Sequence, residues 1–304
     1  MALGAQYVAA DEFMMLPPPL KIELPSYPEK LHPLLTMGLP TFNTLDYSAW
    51  PAYIERFSLT DDDIPELLRM ATDAALDTLD ECYPQTFGPI HARRALGQLK
   101  ALDAVEPLFA YLKVDYERHG FDEWLYEELT PVFFLMGPPI IPLMCSKLID
   151  ITETEIVRDK ALNVLEHCYG HLPEHAEACL APIIEVLGNP HPEFKQLQAG
   201  VICFLARHRI TTYLPQMEAL FTQEMVDTDF CGEWVEVLNQ MELLDDPAAL
   251  EAAKTSRQER FNALYNQLNP IVNKDEEEFI LFTLRESTND TAPGERFGET
   301  HKTQ

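Results

Sequence analysis

The chain has 304 residues, 46% of them hydrophobic, and its 50 acidic residues against 22 basic ones give a formal net charge of −28. A field of that sign repels phosphate backbones and anionic lipid, so nucleic acid is excluded as a partner and a protein with a basic surface is favoured. Only 12 glycines and few β-branched runs argue against a β protein.

The six cysteines have no CxxC spacing and fall mostly on apolar faces, the usage of a reduced compartment. The N-terminus, MALGAQYVAADEF, has neither a basic n-region nor an apolar h-region. The longest apolar stretch, at 131–144, is broken by Gly137, Pro138, Pro139 and Pro142, so no membrane insertion is read. A cytoplasmic location is expected.

Taken in order, residues 1–50 read as a Pro-rich N-terminal arm. MMLPPPLKIELPSYP has no helical period, while LHPLLTMGL reads as a short helix. The apolar content of the arm predicts that part of it packs on the helical region C-terminal to it.

From residue 51 to 240 a helical pattern takes over. Pro65, Pro107, Pro142, Pro182 and Pro215 recur at gaps of 42, 35, 40 and 33 residues, each beside an apolar stripe. That period is the mark of a helical-repeat solenoid. Five antiparallel helix pairs are predicted: 53–59 with 62–80, 88–100 with 103–114, 121–136 with 138–149, 154–169 with 173–187, and 192–208 with 212–225. Asp63 and Asp103 open D-x-x-E strings, which predicts capping boxes. Pro182 lies about two turns inside its helix and predicts a kink.

The string EHCYGHLPEHAEAC at 166–179 is the most chemical in appearance. His167, His171 and His175 step by four and, with Cys179, could ligate a metal on an unbroken helix. Gly170 and Pro173 put an inter-helix turn through this run, leaving His171 in a loop, so the structural reading is preferred and no metal site is assigned. Trp124 beside Phe121 and Tyr126 would be an interaction hot spot if exposed; inter-repeat packing is the preferred reading.

Beyond the array, CGEWVEVLNQMELL reads as a helix and 247–268 as a longer amphipathic helix; residues 241–285 are read as a C-terminal cap. EEEFILFTL at 277–285 is a strand or short helix, and the polar tail 286–304 is expected to be disordered.

PIHARRALGQLKALDAVEPLFAYL, at 89–112, resembles the HEAT-like repeat of phycobilisome-lyase-type proteins. Arg93, Arg94, Ala95, Leu96, Leu99, Asp103, Ala104, Val105, Pro107, Leu108 and Leu112 occupy its positions. SLTDDDIPELLRMATD and EELTPVFFLMG extend a resemblance to bacterial HEAT-repeat proteins over about 50–240. The resemblance implies an all-α fold: an α-solenoid of about five HEAT-like helix pairs, with the N-terminal arm and a C-terminal capping helix.

No GxSxG, GxxxxGK[ST], GxGxxG or HExxH motif occurs, and no cofactor or catalytic residue is read. The expected function is a non-enzymatic scaffold, adaptor or assembly factor. Polar positions on the second helix of each pair, Glu66, Arg69, Glu106, Tyr111, Lys147, Glu185 and Gln216, are its candidate contacts. Three alternatives stand beside it. One is an acidic mimic of nucleic acid that occupies a basic site. Another is a bilin chromophore lyase or chaperone, implied only by the resemblance, which needs a deep apolar groove with a few convergent acids and a tyrosine. The third is a metal-dependent role for the 166–179 cluster.

Overall fold

The computed structural model describes residues 26–40 and 47–268. The chain divides into two units, 1–243 and 244–304.

In the first unit the helices are α1 (His32–Thr36), α2 (Tyr53–Phe57), α3 (Ile64–Ala71), α4 (Ala74–Asp77), α5 (Gly88–Gln98), α6 (Val105–His119) and α7 (Glu123–Leu135). They continue as α8 (Ile140–Ile149), α9 (Glu155–His171), α10 (Ala176–Gly188), α11 (Lys195–Arg207), α12 (Leu214–Thr222), α13 (Thr228–Cys231) and α14 (Trp234–Gln240). Among the described residues there is no strand, and no helix is long and apolar enough to cross a membrane.

The fold is an all-α helical repeat. Helices α3, α5, α7, α9 and α11 stack in chain order as one layer, and α8, α10 and α12 form a second layer. Helices α5 and α7 to α12 lie within three residues of their predicted ranges, whereas α6 runs past its predicted end at 114 to His119. The first pair departs from the scheme. Asp73 accepts a hydrogen bond from the Ala75 amide and restarts the chain as α4, so the expected helix 62–80 is interrupted after Ala71. Its second helix, α3, packs on α5 in the first layer.

Pro65 and Pro215 sit at the second helical position, and Pro107 and Pro142 at the third, where a missing N–H removes no intrahelical bond. Pro182 lies inside α10, which continues through it. The carbonyl that its ring leaves unpaired is that of Ala178, and the Cys145 thiol of α8 points at this oxygen from 3.7 Å.

Two further expectations are corrected. The capping box opens at Thr60, whose amide donates to Asp63 Oδ2 at 2.8 Å, and Asp63 is its third residue. Asp103 makes no capping bond, and α6 is entered through a 3₁₀ turn, Leu102–Ala104.

Helix α5 is the hub, buried along almost all its length. His91 Nδ1 bonds the Tyr53 hydroxyl at 2.7 Å and Nε2 bonds the Gly38 carbonyl at 2.8 Å. The Gly38 carbonyl can only accept, so Nε2 carries a proton; desolvation, outweighing that bond, lowers the ring's pKa to about 4. Arg93 reaches Asp77, which also accepts from Tyr111. Tyr27 bonds Asp73 and Lys30 bonds Asp63, so residues 26–40 of the arm pack on the array as expected. Phe13, Met14, Met15, Leu16 and Leu20, with the rest of 1–25, lie outside the described residues.

The turn after α5 recurs after α11. Lys100 and Arg209 adopt left-handed φ of 56° and 53°. The amides of Ala101 and Ile210 return to Leu96 and Leu205, which closes each helix the way a Schellman motif does.

The second unit contributes α15 (Pro247–Leu268), the range predicted, exposed along most of its length. The strand-or-helix segment 277–285 and the tail lie outside the described residues.

Candidate functional site

A cleft of about 580 Å³ opens on the face where α7, α9 and α11 stack. Helix α6 supplies one wall. The expected end at residue 114 is overrun to His119, and α6 packs against α9 as well as α7. Lys113, Tyr116 and Glu117, near the end of α6, line the cleft.

Gly120, at φ +80°, then turns the chain, and Asp122 caps α7 by accepting from the Trp124 and Leu125 amides. The turn throws Phe121 outward, 58% exposed, while Tyr126 is buried. Their rings remain 5.0 Å apart. The aromatic cluster read as inter-repeat packing is therefore split: Tyr126 is core, and Phe121 and Trp124 are exposed. Phe230 of α13, 53% exposed, also lines the cleft.

The floor comes from α9. Glu155, Asp159 and Asn163 recur every four residues and line the cleft, while Val157, Lys160, Ala161, Val164 and Leu165 are buried in the core. The Tyr126 hydroxyl donates to Asp159 Oδ2, and Asn163 Nδ2 donates to the same hydroxyl at 2.5 Å. Beneath them Lys160 is wholly buried, its Nζ 3.5 Å from the Tyr126 ring centroid and 2.7 Å from Thr130 Oγ1. Desolvation lowers its pKa to about 7.

Across the floor α11 comes close because residue 200 is glycine. A Cβ there would stand 3.0 Å from Leu162 Cδ2 and 3.3 Å from Asp159 Oδ1. Glu155 accepts from the Leu197 amide at 2.9 Å, which ties α9 to α11.

The cleft lining holds five carboxylates, Glu117, Glu127, Glu155, Asp159 and Glu166, against Lys113 and Arg207. Glu166 pairs with Arg207 and approaches His208. Desolvation raises the carboxyl pKa of both Glu155 and Asp159. At the edge, the neighbouring Cys231 thiol lowers the Cys203 pKa, while the Cys231 thiol points at the Gly232 carbonyl oxygen at 3.4 Å.

The candidates from sequence are distributed elsewhere. Helix α9 continues through Gly170, so His171 is helical and not in a loop. His167 and His171 stack at 4.2 Å, with Phe134 against both. Desolvation, aided by His171, lowers the His167 pKa to about 4. His175 sits in a 3₁₀ turn and Cys179 is buried on α10. Among the described residues no group of three or more His, Cys, Asp or Glu side chains could hold a metal ion.

Of the contact positions, Lys147 joins Glu106 at 2.8 Å and Glu153 at 2.7 Å. Arg69 pairs with Glu66 and lies 4.0 Å over the Tyr27 ring, holding the arm. Tyr111 belongs to the Arg93–Asp77 cluster. Glu185 and Gln216 are exposed on α10 and α12. None of the seven lines the cleft. In the sequence the step Glu155, Asp159, Asn163 does not stand out, because α9 also carries Arg158, Lys160, Glu166, His167 and His171.

No protein-family model matches the chain, and neither a curated protein nor a solved structure matches it.

Proposed function

We propose that this chain is a non-enzymatic, HEAT-like protein-binding solenoid, a scaffold, adaptor or assembly factor, whose cleft across α7, α9 and α11 receives a segment of a partner protein. The observation that carries this reading is the pair Phe121 and Phe230, large aromatic side chains more than half exposed on one cleft. Exposed aromatics on a concave surface are where binding energy concentrates. The net charge of −28 favours a basic partner. The cysteines of the described residues are all free, which supports a reduced, cytoplasmic setting.

The test is affinity capture with the wild-type chain and with Phe121→Ala/Phe230→Ala. A partner retained by the first and lost by the second, at equal helix content, supports the cleft. Equal retention of every captured protein by both would place binding elsewhere.

A bilin lyase or chaperone is the second reading, because the cleft combines convergent acids with Tyr126. We rank it lower, since those acids would repel the propionates of a bilin. An absorbance titration with a free bilin separates the two.

A further inference from the structure

We propose that Cys203 and Cys231 form a redox pair: a hydroperoxide entering at the edge of the cleft oxidises them to a disulfide that joins α11 to α13. The pair is independent of the protein-binding reading, since its test needs no partner.

Helix α13 is a single turn packed on α11. It is anchored where the Asp227 amide donates to the Lys195 carbonyl, the first residue of α11, at 3.1 Å. Asp227 also caps the turn by accepting from the Asp229 and Phe230 amides. Cys231 ends the turn, and Gly232, at φ +82°, leads the chain away. This arrangement makes the two thiols neighbours, although they lie on different helices. Both are free and half-buried. A one-turn helix between a cap and a glycine can take up the small adjustment that an S–S bond requires.

Cys203 lines the cleft, so a small oxidant has a path to it. It is also chemically set apart from the other cysteines. The Cys231 thiol and the Arg207 guanidinium lower its pKa against the opposing effect of burial. Desolvation pushes the fully buried Cys168 and Cys179 up to about 12 and about 11. Burial raises Cys145 as well, and Asp80 raises Cys82. Cys203 raises Cys231, so the proton stays on Cys231. Cys203 is the attacking thiolate and Cys231 the resolving thiol.

The Cys203 thiolate attacks one peroxide oxygen and the O–O bond breaks. The departing oxygen leaves as water or an alcohol with the proton that Cys203 has given up, and Cys203 becomes a sulfenic acid. Cys231 sulfur then attacks Cys203 sulfur, the S–O bond breaks, and hydroxide leaves with the Cys231 proton as water. The two sulfurs lose two electrons and the peroxide gains them. The bond pins Phe230, the residue before Cys231, at the cleft edge. A dithiol reductant reverses it, as a transient, redox-sensing pair in a reducing compartment requires.

The experiment treats the reduced full chain with hydrogen peroxide, blocks the remaining thiols with iodoacetamide in denaturant, and maps the digest by mass spectrometry. The Cys203–Cys231 cross-link is expected to exceed any other pairing at least about tenfold, with the other four cysteines alkylated. Dithiothreitol should reverse it, and peroxide treatment in urea should abolish the preference. In Cys231→Ser the reaction should stop at a Cys203 sulfenic acid that dimedone traps. In Cys203→Ser, Cys231 should stay reduced. Circular dichroism checks that each variant keeps its helix content, and the wild-type map decides the matter by itself if one does not.

A dominant cross-link between other cysteines, or a Cys203 sulfenic acid in the wild type that never closes, would overturn the proposal. So would the same pairing preference in urea, or a Cys82 that is oxidised while Cys203 stays reduced.

Discussion

Arg94 and Glu128 meet inside the core between α5 and α7, with side chains 0% and 1% exposed and two hydrogen bonds of 2.5 and 3.0 Å between them. Desolvation pushes the Glu128 carboxyl up, and the guanidinium pulls it back. The Trp50 ring covers Arg94 at 4.3 Å, so the loop before α2 is tied to the same pair.

Removing one partner leaves the other charge buried alone. Arg94→Ala is expected to destabilise the chain by about 3–5 kcal/mol, whereas Arg94→Met with Glu128→Leu is expected to lie near the wild type or above it. Urea unfolding of the two variants checks this. A double variant as unstable as the single one would mean that the pair itself, not the orphaned charge, sets the loss.

Lys160 makes stability depend on pH in a direction that can be stated in advance. Its pKa is about 7 in the fold and about 10.4 when unfolded. Between those values the unfolded chain binds more protons, so stability rises with pH, and the burden of burying a charged lysine is present in full below about 7. The slope from one proton is at most about 1.4 kcal/mol per pH unit. Lys160→Met is expected to be more stable than wild type at pH 7, with the advantage shrinking towards pH 9. Unfolding free energies at pH 7, 8 and 9 that stay parallel for the two chains would contradict this.

The repeat was legible because its signals are local. Proline in the first turn and the apolar stripe behind it fix where a helix starts and which face is buried, and Pro65, Pro107, Pro142 and Pro215 stand where that logic puts them. The cleft was not legible, because it depends on distances between helices. Nothing around Gly200 announces that Asp159 will face it across α9 and α11. The exposure of Phe121 results from the Gly120 turn and the Asp122 cap acting together. The seven contact positions were chosen by layer. Lys147 and Glu106 pair with each other, Arg69 pairs with Glu66 and holds the arm, and Tyr111 joins the Arg93–Asp77 cluster, contacts a helical wheel does not display.

Glycine shows the same division, and it yields a paired prediction. Gly170 looks like a helix stop in the sequence, yet it lies inside α9 with open space where a Cβ would go. It contributes only unfolded-state freedom, so Gly170→Ala is expected to raise stability by about 0.5–1 kcal/mol. Gly97 looks like an ordinary helical glycine, yet a Cβ there would stand 2.8 Å from the Val132 carbonyl oxygen and 3.2 Å from its Cα. Backbone cannot swing aside as a side chain can, so α5 and α7 would have to separate along the line that holds Arg94 against Glu128. Gly97→Ala is expected to lower stability by about 1–3 kcal/mol despite its better helix propensity. The two substitutions are chemically identical, and thermal unfolding of both in one buffer isolates the contact from the propensity. If both shift the midpoint upward, the close approach of α5 to α7 is not a constraint on the fold; opposite shifts show that it is.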